Sequence, residues 1–245
     1  MSLFKKDIFG RPYFIKKWVI RIIGLLSYRR FKGINSLKIT GSKNLKNLPN
    51  NNVLFISNHQ TYFADATAII HVINASLKGR NDNINNIGYI WRPMLNLYFI
   101  AAKETMNNGL LPKILSYAGS IPIERTWRSN GESLKRPVNE DNIKSIDLAL
   151  KDGWVITFPQ GTTTAWKPVR KGTAHIILKN KPTVIPIVID GFRRSFDKKG
   201  LVLKKRGSIQ KMNIKSPMKI DYEKDSVEGI VDKIELAIEQ HHTNK

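Results

Sequence analysis

Residues 154–189 read WVITFPQGTTTAWKPVRKGTAHIILKNKPTVIPIVI, and their pattern sets the fold class. Two short runs, 154–158 and 184–189, are apolar on both faces, and residues 173–179 between them have the apolar spacing of a helix. Strands that are apolar on both faces are typical of sheets covered by helices on both sides. The stretch therefore predicts a strand–helix–strand unit of an α/β sheet.

The same alternation extends outward along the chain. Further strands are predicted at 37–40, 53–56, 99–102 and 121–123, further helices at 64–77, 110–118, 139–151 and 227–240, and a basic, strand-like segment at 201–220. No internal repeat or convincing domain boundary appears. We expect a single α/β domain, residues 36–245, with a mostly parallel or mixed sheet covered by helices. A basic amphipathic helical segment, residues 1–35, precedes it.

The N-terminal segment contains FIKKWVIRIIGLLSYRRF at residues 14–31. Its longest uncharged run covers only residues 22–28, far short of the roughly 20 residues of a spanning helix. No small-residue cleavage site follows, so a signal peptide is not expected. Such a helix lies in the membrane interface or packs on the domain, and its hydrophobic pattern is the same in both cases.

The composition is strongly basic, with 41 Lys+Arg against 19 Asp+Glu and a formal charge of +22. This excess attracts a polyanion: a nucleic acid, an anionic bilayer or an acidic protein. Cysteine is absent, which excludes a disulfide framework, a thiolate zinc site and a cysteine nucleophile. Composition alone does not choose among the three partners.

His59 is the histidine best placed for chemistry. It directly follows the predicted strand 53–56, and catalytic residues of α/β sheets collect at the carboxyl ends of strands. Asp65 lies six positions on, so an imidazole that takes a proton from a hydroxyl has a carboxylate to fix its tautomer. His71, inside an apolar helical stretch, is interpreted as a structural histidine.

A second loop directly follows a predicted strand, FPQGTTT at 158–164, with Lys167, Arg170 and Lys171 before the next helix. Backbone amides at a helix start together with cations form an anion site, although a basic surface loop has the same pattern. The sequence has no G-x-S-x-G elbow, phosphate-binding P-loop or dinucleotide fingerprint.

Taken together, four blocks in order resemble the glycerolipid acyltransferase family, whose bacterial type is 1-acylglycerol-3-phosphate acyltransferase. They are Asn-His-x5-Asp within 57–65, GSIPIER at 119–125, FPQGTTT at 158–164 followed by RKGTA at 170–174, and VIPI at 184–187. Each block is weak alone, but their order and spacing are specific.

The resemblance implies a role for each matched residue. His59 is the general base and Asp65 its orienting partner; the substrate site is formed by Arg125, Gln160, Gly161, Thr162, Arg170 and Lys171. The family forms its tetrahedral intermediate directly from the acceptor hydroxyl and needs no metal or cofactor. The implied donor is acyl-CoA or acyl carrier protein, and the default acceptor is the lysolipid 1-acylglycerol-3-phosphate. The implied location is peripheral, on the anionic cytoplasmic face of the cell membrane.

Three departures from the family pattern bear on this resemblance. Five residues rather than four separate His59 from Asp65, so a turn must bring the side chains together, and a bulge could absorb the extra residue. Gln160 replaces a glutamate, and Thr163 replaces an arginine. These two changes leave the identity of the acceptor lipid undetermined, and a lyso-amino-acid lipid is one candidate. The rivals are a hydrolase with the same pair and a catalytically inactive protein that binds membrane or nucleic acid. No zinc-finger, RRM-like or KH-like motif appears, so a nucleic-acid partner is not expected.

Overall fold

The computed structural model describes residues 5–107, 109–124, 128–129, 132–133 and 140–241. Its α-helices are α1 (Tyr13–Phe31), α2 (Ala64–Ser76), α3 (Lys103–Asn107), α4 (Leu110–Ser116), α5 (Glu140–Asp152), α6 (Lys171–Asn180), α7 (Phe192–Ser195) and α8 (Val227–Ala237). Its strands are β1 (Ser36–Thr40), β2 (Val53–Ser57), β3 (Leu97–Ala102), β4 (Ser120–Ile123), β5 (Arg128–Ser129), β6 (Glu132–Ser133), β7 (Trp154–Thr157), β8 (Thr183–Asp190) and β9 (Ile209–Ile214). Short 3₁₀ helices lie at Ser42–Leu45 and Ile87–Trp91.

Seven strands form one mixed sheet in the order β1-β9-β8-β2-β7-β3-β4. Within this sheet only the β8–β9 pair is antiparallel, and the other neighbouring pairs are parallel; β5 and β6 form a separate antiparallel pair. β2 lies between β7 and β8, and every residue of β2 is buried. The carboxyl ends of these three central strands therefore meet at the same edge of the sheet, where their following loops form one surface.

Both faces of the sheet are covered, as strands apolar on both sides require. Alternate residues of β2 divide between two cores. Val53 and Phe55 pack on the face that α1 and α2 cover, whereas Leu54 and Ile56 pack on the face that α5, α6 and α8 cover. The predicted single α/β domain with a mixed, helix-covered sheet is confirmed.

A buried charged cluster ties the start of the chain to the sheet. The Lys16 side chain is fully buried, with Nζ 4.0 Å from the centre of the Tyr98 ring and 3.8 Å from Asp7 Oδ2. Arg11 Nε donates to Asp7 Oδ2, and Arg11 Nη1 donates to the carbonyl of Ser120 on β4. Burial lowers the pKa of Lys16 to about 7. These contacts fix where α1 begins against β3 and β4.

The opposite face of α1 presents large apolar side chains to solvent. They include Trp18, Ile22, Leu25 and Leu26, with Leu26 70% exposed. In the part of the chain that the structure describes, no helix is both long and apolar enough to cross a bilayer. The division between an N-terminal segment and a domain at residue 35 stays a prediction, and Ile20 and Phe31 of α1 already pack in the core.

One predicted element is largely wrong. The basic segment 201–220 forms a strand only at Ile209–Ile214. Residues 196–203 instead make a loop in which the Asp197 carboxylate accepts the amides of Leu201 and Val202. A carboxylate that binds local backbone amides competes with strand pairing, so the first residues of the segment do not extend the strand.

Candidate active site

His59 and Asp65 meet beyond the carboxyl end of β2. His59 Nδ1 lies 2.9 Å from Asp65 Oδ2, and the Asp65 side chain is fully buried while that of His59 is 13% exposed. An ionised carboxylate only accepts hydrogen bonds, so it holds a proton on Nδ1, and in a neutral ring Nε2 is then the acceptor. This arrangement suits an imidazole that removes a proton from a hydroxyl group.

The Asp65 carboxylate also closes the turn that separates it from His59. It accepts hydrogen bonds from the backbone amides of Gln60 and Thr61 and from Thr61 Oγ1. Asp65 lies in the first turn of α2, where a negative charge is favoured by the helix dipole. Gln60 and Thr61 thus direct the turn at one carboxylate, and the predicted meeting of the His59 and Asp65 side chains is observed.

A second segment holds the same turn from outside. The amides of Tyr62 and Phe63 donate to the carbonyls of Lys198 and Lys199, at 3.1 and 3.0 Å. Gly200 follows with φ +77°, and a Cβ built there would lie 2.6 Å from the Ala64 nitrogen. Only glycine permits this approach without displacing the backbone at the start of α2.

Phe158 covers one face of the His59 ring. The two ring centroids are 3.9 Å apart and the planes differ by 17°, a stacked arrangement. Phe158 directly follows β7, the neighbour of β2, so the segments after two adjacent strands supply His59 and the ring against it. The contact restricts the imidazole to one orientation, in which the Asp65 carboxylate holds Nδ1.

The loop after β7 carries three of the predicted substrate-binding residues. Gln160 is 1% exposed, and its Nε2 donates to the carbonyl of Lys167 and to Gln240 Oε1. That Gln160 contacts the substrate stays a prediction, and the burial of its side chain does not favour such a contact. The side-chain amide stabilises the loop through these hydrogen bonds. Gly161 has φ +64°, and Thr162 Oγ1 accepts the amide of Thr164. Gly161 and Thr162 therefore shape a tight turn shortly after Phe158, beyond the end of β7.

The predicted cations are less closely grouped. Arg170 precedes α6, and its amide donates to the carbonyl of Pro159. Lys171 is exposed and forms a 2.6 Å ion pair with Glu228 on α8. Arg125 lies outside the described residues. The roles assigned to these cations stay predictions.

Sequence reasoning missed a cavity of ≈ 420 Å³ beside the turn between His59 and Asp65, called here the cationic cavity. Its lining comprises Gln60, Thr163, Thr164, Ala165, Arg193, Phe196, Asp197, Lys198 and Lys204. One signal was present: Arg193 closely follows the buried strand β8, just as His59 follows β2. The basic run beyond it was interpreted as strand instead.

A narrow apolar recess lies on the α1 side of the same turn, with a volume of ≈ 40 Å³. Its walls include Ile20, Gly24, Tyr62, Phe63, Ala66 and His71. Tyr62 and Phe63 belong to the turn between His59 and Asp65 as well as to this recess. An apolar surface and a cationic cavity thus both border the residues that join His59 to Asp65.

Comparisons with known proteins agree with this fold and place the chain in a family. A family model described as Acyltransferase matches residues 36–190, which include the His59–Asp65 turn and the loop after β7. No curated protein matches the sequence. The fold is similar to that of the 1-acyl-sn-glycerophosphate (LPA) acyltransferase PlsC from Thermotoga maritima, with a TM-score of 0.55 and 19% identity over 92% of this chain and 79% of that one. The chain belongs to the Acyltransferase family.

Proposed function

We propose that the protein is a membrane-surface O-acyltransferase that moves a fatty acyl group from a carrier thioester to the hydroxyl of a lysolipid, with His59 as general base. The observation that carries the proposal is the His59–Asp65 pair. The carboxylate is buried and holds Nδ1–H, and Nε2 is left to meet a substrate hydroxyl. An alcohol is a poor nucleophile near neutral pH, so removal of its proton as it attacks is the help it requires.

The proposed step balances without an enzyme-bound acyl group. Nε2 takes the hydroxyl proton while the oxygen forms a bond to the thioester carbonyl carbon. The tetrahedral intermediate then expels the thiolate as the C–S bond breaks, and the imidazolium returns its proton to the sulfur. The negative charge of Asp65 stabilises the imidazolium between the two proton transfers.

Membrane attachment is proposed from the exposed face of α1. Trp18, Ile22, Leu25 and Leu26 together present an apolar surface of the kind that inserts into the headgroup region. Arg21 Cζ lies 5.0 and 5.1 Å from the ring centres of Trp18 and Trp91, which places a cation among these aromatic rings. Because the protein has a formal charge of +22, the membrane face that fits it is the anionic cytoplasmic leaflet.

The acceptor class is proposed from the surroundings of the pair. The apolar walls of the recess offer contacts to an acyl chain, although its volume of ≈ 40 Å³ is far smaller than a chain, and the cationic cavity fits an anionic group. The default acceptor is 1-acylglycerol-3-phosphate, with acyl-CoA or acyl carrier protein as donor. Thr163 in place of a cation keeps a lyso-amino-acid lipid as the second candidate, since its carboxylate carries less charge than a phosphate.

The test is product analysis with labelled acyl-CoA and acyl carrier protein against a panel of lysolipids in anionic vesicles. The panel holds 1-acylglycerol-3-phosphate, lyso-amino-acid lipids and monoacylglycerol, and each donor is also incubated without acceptor. We expect the label to move to one acceptor class in preference to water. Release of free fatty acid at the same rate with and without acceptors would indicate a hydrolase, and no turnover of either donor would overturn the enzyme proposal.

A further inference from the structure

The cationic cavity lies where three segments that follow neighbouring strands meet. Gln60 lines it from the turn after β2, Thr163 and Thr164 from the loop after β7, and Arg193 from α7 after β8. Because β2 is the central strand of these three, the cavity adjoins the turn that holds His59 against Asp65. A group bound there lies beside the proposed reaction centre and forms part of the same surface.

The charge of the cavity is positive. Arg193, Lys198 and Lys204 line it together with one carboxylate, Asp197. Among the described residues, none of these three cations forms an ion pair with a carboxylate. Burial raises the pKa of Asp197, but hydrogen bonds from backbone amides, including those of Val202 and Leu201, lower it by more than burial raises it. The carboxylate is therefore ionised and is bound by its own loop. Three cations are left facing a cavity of ≈ 420 Å³.

Arg193 is fixed in place by both of the neighbouring loops. Its Nη2 donates to the carbonyl of Thr163 at 2.6 Å, and its backbone amide donates to Gln60 Oε1 at 3.1 Å. Gln60 Nε2 in turn donates to the carbonyl of Ile189. A guanidinium has five N–H donors, so one bond to Thr163 leaves four for a ligand. The side chain is exposed yet held at one end, which lowers the entropy cost of binding an anion.

We propose that the cationic cavity binds the phosphate group of a substrate of the reaction at His59, with Arg193 as the bidentate contact and Lys198 and Lys204 as further cations. The inference rests on the proposed acyl transfer and names the chemistry that the cavity recognises. Thr163 carries no charge, and the guanidinium that meets its carbonyl comes instead from α7. The phosphate belongs either to the headgroup of the acceptor or to coenzyme A of the donor.

The test compares two double variants that lose the same charge. Arg193→Gln/Lys204→Gln removes two cations of the cavity, whereas Arg194→Gln/Lys205→Gln removes their exposed sequence neighbours outside it. For the phosphate-bearing substrate, the cavity variant should show a KM raised roughly 10- to 100-fold, as expected for the loss of hydrogen bonds to a charged group. The control variant should stay close to the parent. Thermal unfolding of each variant reports folding, and Lys204→Gln alone serves if the double variant is unfolded.

Two pairs of substrates separate the sources of the phosphate. A higher KM for lysophosphatidate but not for monoacylglycerol assigns the cavity to the acceptor headgroup. A higher KM for acyl-CoA but not for acyl-pantetheine assigns it to the donor. Equal KM values in the cavity variant, the control and the parent for every phosphate-bearing substrate would overturn the inference.

Direct binding separates this inference from the proposed function. Glycerol 3-phosphate and adenosine 3′,5′-bisphosphate are titrated calorimetrically into the parent and both double variants. Weaker binding in the cavity variant alone supports a phosphate site even if the parent acylates no acceptor, in which case only the proposed function fails. Binding of both probes that does not differ between the cavity variant and the control would contradict the site itself.

Discussion

The Asp65 carboxylate contacts both the His59 ring and the backbone of the turn between them. Its oxygens contact His59 Nδ1, the amides of Gln60 and Thr61, and Thr61 Oγ1. A buried carboxylate needs such donors, since burial without them is costly. The orientation of the proposed base and the shape of the turn therefore depend on one side chain.

Asp65→Asn should lower both activity and stability. The amide has the size of the carboxylate but no charge. Its NH2 group would face hydrogen-bond donors that in the parent protein face a carboxylate oxygen. We expect kcat/KM to fall roughly 10²–10⁴-fold, as when a base loses its orienting carboxylate, together with a lower Tm. Asp232→Asn, at an exposed position of α8, is the matched control. Activity within a few-fold of the parent in Asp65→Asn would contradict the role of the carboxylate.

Gly200→Ala tests the support that the turn receives from the neighbouring loop. A Cβ at this position would lie 2.6 Å from the Ala64 nitrogen and 2.8 Å from Thr61 Oγ1, in addition to the strain of φ +77°. Gly207→Ala has a similar φ of +67° and nothing within 4 Å, so it carries the backbone strain alone. We expect Gly200→Ala to lose clearly more Tm and more kcat than Gly207→Ala. Equal losses in the two variants would show that the close approach has no influence on the site.

The pairing of α1 with α2 depends on a buried hydrogen-bond chain through His71. Tyr89 Oη donates to His71 Nδ1 at 2.7 Å, His71 Nε2 donates to Ser27 Oγ at 2.9 Å, and Ser27 Oγ donates to the carbonyl of Ile23. With a neutral His71 imidazole, each polar side-chain atom in this series of hydrogen bonds has a partner. The interpretation of His71 as a structural histidine is confirmed by these contacts.

A neutral His71 gives the fold a defined sensitivity to acid. Burial lowers the pKa of His71 to about 4 from an unfolded value of about 6.5, so the unfolded state binds the proton first. The contribution of His71 to the free energy of unfolding is complete above pH ~6.5 and declines as the pH falls toward 4. Urea denaturation of the parent and His71→Gln across this range should give curves that converge toward low pH. Parallel curves would contradict a neutral, buried His71.

The elements themselves were largely predictable, because both-face apolar runs and helical spacing are local signals. The central strands at 53–56, 154–158 and 184–189 were predicted within about two residues of their observed bounds. Segment 201–220 was not, because its first residues belong to a loop in which the Asp197 carboxylate accepts the amides of Leu201 and Val202. Lys16 is a second failure of local reasoning: a lysine in an amphipathic helix is expected in solvent, and only Asp7 and Tyr98 account for its burial.

The candidate site shows the same division between local and distant determinants. His59, Asp65 and the loop after β7 follow predicted strands, so their meeting at one sheet edge could be expected from an α/β fold. How the turn accommodates five residues between His59 and Asp65 could not be predicted, because the carbonyls of Lys198 and Lys199 that bond this turn are distant in sequence. The role of Arg193 was not predicted for a similar reason, because its partner Thr163 lies in the loop that follows a different strand, β7.

The charge and apolar surface of the whole molecule predict binding to anionic vesicles. Ile22→Glu/Leu26→Glu should weaken vesicle binding strongly, because two side chains worth roughly 1.5–3 kcal/mol each on burial are replaced by anions. Leu148→Glu/Leu236→Glu makes the same charge change at exposed apolar positions on α5 and α8. We expect this control to bind nearly as the parent does in a flotation assay. Equal loss in both variants would indicate that charge alone governs attachment.

The most direct test of the account is the turnover of His59→Ala beside His175→Ala, which removes an exposed histidine from α6. Both proteins are assayed for acyl transfer to the acceptor that the parent prefers, with thermal unfolding to establish that each is folded. We predict that kcat falls roughly 10²–10⁴-fold in His59→Ala, as expected for the loss of a general base, and stays near the parent value in His175→Ala. A folded His59→Ala protein that transfers the acyl group as fast as the parent would contradict the account.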